Sequence, residues 1–222
     1  MNLRNLTAIV AASAISTCHA TTPPAPGLTS GSGDAGDNGM KHANVALDGT
    51  ELSVHIADPP ATPVAMTSGH GVDYAPDKFD VLEGVYFNAQ YGWLPGGILS
   101  PPDGAAVWIR RTAASYPDGA AFRVYEGGNM MEGMDAWSME EIYANDGDVW
   151  RWDGLMQHDY YTVDMPGDYS MSFEIYFGDS AGTPIAGYSP AVARFEFTAI
   201  PEPSSVALAL AAAIVCVGRW WR

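Results

Sequence analysis

Tyr169 to Phe177 alternates without a break over nine residues. Tyr169, Met171, Phe173, Ile175 and Phe177 fall on one face, and Ser170, Ser172, Glu174 and Tyr176 on the other. Successive Cβ atoms leave an extended chain on opposite sides, so this pattern predicts a strand with one side buried. Ala193, Phe195 and Phe197 alternate with Arg194, Glu196 and Thr198 in the same way. Between them, Gly178 to Pro184 reads as a loop. Two short runs, Ala43 to Leu47 and Leu52 to Ile56, flank Asp48-Gly49-Thr50 and predict a hairpin. Further strands are expected at Val81 to Asn88, Ala105 to Arg111, Phe122 to Tyr125, Val149 to Trp152 and Gln157 to Val163. Only Met134 to Tyr143 offers a helical turn. The expectation is an all-β domain over residues 43–199, an antiparallel β-sandwich of the jelly-roll or immunoglobulin-like kind. Its aromatic residues supply ample core material for one domain of this length.

The ends of the chain read differently. Residues 1–20 carry Arg4, an apolar stretch from Leu6 to Ile15 and small residues around Cys18-His19-Ala20. That pattern predicts a secretory signal helix, with lipidation at Cys18 as an alternative. Residues 21–42 are rich in Thr, Pro, Gly and Ser, with little to bury, and predict a flexible linker. Residues 200–222 hold Pro201-Glu202-Pro203, an apolar run from Val206 to Val217, and then Arg219-Trp220-Trp221-Arg222. A spanning helix needs about 17 to 25 residues. The eighteen residues from Ser204 to Trp221 reach that length. Trp220 and Trp221 suit the headgroup boundary, and Arg219 and Arg222 the cytoplasmic side. The expectation is a C-terminal membrane helix.

These tail residues resemble the PEP-CTERM sorting signal of bacterial surface proteins. The resemblance rests on Pro201, Glu202, Pro203, the apolar run, Arg219 and Arg222. It implies processing by a membrane peptidase of the exosortase class, so that anchoring is at least transient. The expected location is the cell envelope or surface after export. Cys18 and Cys216 are the only cysteines, and both lie in the end segments. The domain between them therefore has no internal disulfide, cysteine nucleophile or cysteine metal site.

Charge narrows the partners. Between residues 21 and 200, twenty-five Asp and Glu face seven Lys and Arg. Such a surface repels phosphate backbones, so nucleic acid is not an expected partner. It favours solubility and attracts cations.

Candidate chemistry is sparse. His70 and Asp73 share a Gly-rich loop, and His158-Asp159 are adjacent; imidazole and carboxylate together suit zinc or copper. The other histidines of the domain are His42 and His55, the latter alternating outward from Val54 and Ile56. Asn145-Asp146-Gly147-Asp148 places oxygen ligands at alternate positions, which suits calcium, but lacks the full twelve-residue loop. An Asx turn accounts for the same residues. Trp93, Trp108, Trp137, Trp150 and Trp152 offer faces for stacking on envelope polysaccharide, or rings for the core. No Gly-x-Ser-x-Gly elbow is present.

Phe87 to Trp93, Trp150 to His158 and Gly178-Asp179, with the tail, also look like a recurrent secreted PEP-CTERM domain of planctomycetes and cyanobacteria. That resemblance implies a zinc role for His158 and His70, and no activity. The expected function is a structural or binding component of the envelope or extracellular matrix, with metal or glycan as ligand, and not an enzyme. A small envelope-associated hydrolase is the alternative.

Overall fold

The structure is a computed structural model that describes residues 25–26, 39–58, 60–128 and 133–201. The expected signal helix, most of the linker and the sorting segment after Pro201 lie outside the described residues. About half of the described residues are strand. In order, the strands are β1 (Lys41–Asp48), β2 (Glu51–Ile56), β3 (Val64–Ala65), β4 (Thr67–Ser68), β5 (Tyr86–Asn88), β6 (Tyr91–Pro95), β7 (Ala106–Ser115), β8 (Phe122–Gly128), β9 (Glu141–Tyr143), β10 (Val149–Trp152), β11 (Gln157–Val163), β12 (Gly167–Gly178) and β13 (Ala191–Ala199).

They form two open sheets. The five-stranded sheet runs β10-β7-β12-β13-β3. The eight-stranded sheet runs β2-β1-β6-β11-β5-β4, with β8 and β9 added beyond β11. His158 pairs with both Gly92 and Gly128, and Thr162 with both Phe87 and Arg123. Thus β5 and β6 share one side of β11, and β8 takes the other.

The sheets are mixed, which corrects the expectation of a wholly antiparallel fold. β1 runs parallel to β6, and β13 parallel to β3. The long connections between these partners give the chain room to return in the same direction, which a tight hairpin forbids. The predicted hairpin of β1 and β2 is present, with Leu47 opposite Leu52 and Gly49 at φ 59° in its two-residue loop. Gly tolerates that positive φ without the Cβ clash that other residues meet.

The predicted alternation holds along β13, while in β12 Ser170 and Tyr176, expected on the open face, are buried as well. Phe173, Ile175, Phe195 and Phe197 are fully buried and share one core with residues of the other sheet. Aromatic rings join the two layers: Tyr91 stacks on Phe195 at 4.0 Å, Trp93 meets Phe173 edge-on at 5.5 Å, and Tyr161 lies 4.9 Å from Phe197. Offset and edge-to-face pairs of this kind add to the area that they bury.

A second apolar cluster covers the opposite face of the larger sheet. Phe87 and Tyr160 there receive Tyr74, Phe79 and Leu82 from the segment after β4, and Trp137 and Met139 from the segment after β8. Neighbours on β11 therefore serve different cores, Tyr160 the outer and Tyr161 the inner. Phe79 and Leu82 come from a 3-10 turn, Asp77–Leu82, where the sequence predicted a strand beginning at Val81. The predicted helical turn at Met134 is a three-residue 3-10 segment, Met134–Ala136, and the chain then turns to strand in β9.

Candidate functional site

The sequence proposed one metal set, and the structure distributes its members. His70 is exposed on the turn after β4; its Nδ1 lies 3.2 Å from Ser68 Oγ and its ring faces Tyr86. Asp73 is exposed in the same loop. His158 and Asp159 are both fully buried in β11. Being adjacent in a strand, they project to opposite faces. His158 points outward over β6, and Asp159 points inward between the sheets. Among the described residues, no group of three or more His, Cys, Asp or Glu converges to hold a metal ion.

Asp159 is held by its own strand and by β8. Its Oδ1 accepts from Gln157 Nε2 at 2.9 Å and from the Gly127 amide at 3.2 Å, while Oδ2 has no partner. Burial raises the carboxyl pKa from 3.8 to about 7, against the pull of these two donors. Gly127 belongs to a bulge where β8 shifts register against β11. A Cβ there would stand 1.8 Å from the His158 carbonyl oxygen, so only glycine fits.

His158 lies against His42 of β1. The register pairs His42 with Gly92 and Gly92 with His158, so one row crosses β1, β6 and β11. The two ring centres are 5.7 Å apart at an interplanar angle of 62°. His158 Nδ1 donates to Ala89 O at 2.9 Å. Burial lowers the His158 pKa, and the bond to Ala89 opposes that shift. Sequence pattern alone assigns His42 no role. Its position beside His158 follows from the parallel β1–β6 pairing, which no local pattern announces.

The Asn145–Asp148 loop does not fit calcium. Asp146 Oδ1 is bound at 2.9 Å by Arg111 Nε, so a guanidinium already occupies the carboxylate. Asp148 Oδ2 accepts from the amides of Ala144 and Asn145 at 2.8 and 2.7 Å. The loop that joins β9 to β10 is a backbone β-turn, with the Asp148 amide donating to Asn145 O at 3.3 Å, and not the Asx turn that the sequence suggested, since the Asp148 carboxylate accepts from amides that precede it. Arg111, itself 2 % exposed, also donates to the carbonyls of Phe122 and Ala144, which pins the loop onto β7 and β8.

The tryptophans serve packing. Trp93, Trp137 and Trp152 are at most 3 % exposed, and Trp150 packs beside the inner core with its Nε1 bonded to Glu126 at 2.9 Å. Trp108 lies over Gly178 and Gly182. Trp93, Trp137 and Trp152 present no free face for a sugar ring, while Trp108 and Trp150 are half-buried. Of the sorting residues, Pro201 is exposed just beyond β13, and Glu202, Pro203, Arg219 and Arg222 lie outside the described residues. The chain matches no protein-family model and no curated protein.

Proposed function

We propose that this chain is an exported, acidic β-sandwich protein of the bacterial cell envelope or extracellular matrix, delivered there by a PEP-CTERM sorting signal. Its role is structural or binding rather than enzymatic. The reading is carried by one observation, the order Pro201-Glu202-Pro203, apolar run, Arg219 and Arg222. Other features agree with it. Two sheets sharing one aromatic core suit a jelly-roll or immunoglobulin-like sandwich. β13 ends at Ala199, and Ile200 is 63 % exposed, so the motif begins just beyond the last described strand. Export needs no disulfide in a domain with a core this large. The partners are an exosortase-class peptidase and, through the residues after Pro203, the membrane. The burial of Trp93, Trp137 and Trp152 weighs against glycan as ligand.

The test is fractionation of C-terminally tagged protein in hosts with and without the sorting peptidase. The tag is expected to stay on a membrane-bound precursor without the peptidase and to be removed with it. A tag retained equally in both hosts rejects the sorting assignment.

A further inference from the structure

His42 and His158 form an imidazole pair that no local spacing in the sequence announces. Neighbouring strands lie about 4.8 Å apart, so strands separated by one intervening strand lie about 10 Å apart. The two rings have closed that span to 5.7 Å by leaning over β6 from either side. Gly92 makes the approach possible. A Cβ at that position would stand 2.5 Å from both Cε1 and Nε2 of His158, so any side chain there would displace the ring. Five buried side-chain nitrogen or oxygen atoms have no hydrogen-bond partner among the described residues, and two of them are the Nε2 atoms of this pair. Native structures leave few such atoms, because an unpaired buried polar atom forfeits its hydration without a replacement bond. The other His158 nitrogen is fixed: Nδ1 donates to Ala89 O, which leaves the Nε2 lone pair free to coordinate. A backbone carbonyl holding the far nitrogen is the usual support of a metal-bound imidazole.

We propose that His42 and His158 bind one divalent transition-metal ion through their Nε2 atoms. Two imidazoles sharing an ion at bond lengths of about 2.0–2.1 Å set their ring centres about 5–6 Å apart, and the observed separation falls in that range. The chemistry favours zinc or copper, which imidazole nitrogen suits, over calcium, which takes oxygen. Two protein ligands leave further coordination positions for water or a small anion. The site is independent of the sorting assignment, since it is read in purified protein.

The test is calorimetric titration of the purified full chain with Zn²⁺, alongside the imidazole proton resonances in NMR spectra. One equivalent is expected to bind, with shifts at His42 and His158. His42→Ala and Gly92→Ala are each expected to weaken binding at least 30-fold, while His55→Ala and His70→Ala leave it unchanged. His42 is half-buried, so its variant is expected to keep the wild-type near-ultraviolet circular dichroism. Absence of stoichiometric binding overturns the proposal. So does binding that survives His42→Ala, which would place the ion on the acidic surface.

Discussion

Buried charge in this domain is concentrated in a few groups whose partners are unequal, and the inequality can be measured. Arg111 is buried and serves two carbonyls as well as Asp146, whose own side chain is 54 % exposed. Arg111→Ala removes donors from buried acceptors, and its expected cost is about 3 kcal/mol in urea unfolding. Asp146→Asn alters one exposed partner, and its expected cost is below about 1 kcal/mol. Equal effects would show that the ion pair, and not the carbonyl bonds, carries the stability. Asp159 gives a pH signature. Its folded-state pKa is raised to about 7 from 3.8, with Glu126, Tyr143 and Tyr161 nearby. Between those values the folded protein keeps a proton that the unfolded chain releases. Stability from this group is therefore full below about pH 4 and falls as pH rises to about 7. The shift corresponds to about 4 kcal/mol at most. In chelator-treated protein, Asp159→Asn is expected to gain stability relative to wild type as pH rises from 4 to 8. A difference that does not vary with pH would refute the assignment. The sequence shows Asp159 beside His158. Only the strand's two-sidedness, read with the sheet packing, says that they serve different faces.

β11 is the element on which the rest depends. It pairs with β5, β6 and β8, sends Tyr161 and Val163 to the inner core, and sends Tyr160 to the outer cluster. Its sequence predicted a strand with the bounds found, as did Val149 to Trp152 for β10. Other elements were not legible. β6 reads Tyr-Gly-Trp-Leu-Pro, and its Gly and Pro are the residues that a strand pattern excludes. Here the glycine admits the His158 ring, and the proline ends the strand. β3 and β4 are two residues each, too short for any period. They take the chain from the five-stranded sheet at Val64–Ala65 to the eight-stranded sheet at Thr67–Ser68. Opposite β11, Phe173 of β12 contacts Trp93, Tyr143, Tyr161 and Phe195. Phe173→Ala leaves a cavity among four rings, and its expected cost is about 3–5 kcal/mol in chemical denaturation. A loss below about 1 kcal/mol would mean that the layers close up without it.

For the whole molecule, charge and packing divide the work. Among the described residues Asp159 is the one fully buried carboxylate, and six of the seven basic residues of the domain are engaged in named contacts. Lys41 Nζ donates to the carbonyls of Ala57, Asp58 and Pro60. Lys78 Nζ donates to Trp137 O, which ties the 3-10 turn to the far side of the outer cluster. Arg110, Arg111, Arg123 and Arg194 form ion pairs. The pairs of Arg110, Arg123 and Arg194 are part-exposed and screened by salt, so apart from Arg111 the fold rests on its two aromatic clusters.

The sequence by itself determined the β class, the individual alternating strands and the expectation of export and sorting. Each of these is written in local order: a period of two, a run of apolar residues, a motif with fixed spacing. The tertiary structure decided which strands are neighbours and in which direction they run, and therefore which side chains meet. Parallel pairing of β1 with β6, forty-odd residues apart, is what sets His42 beside His158. Contacts between distant strands depend on register and topology, and a single chain of letters carries no local trace of either.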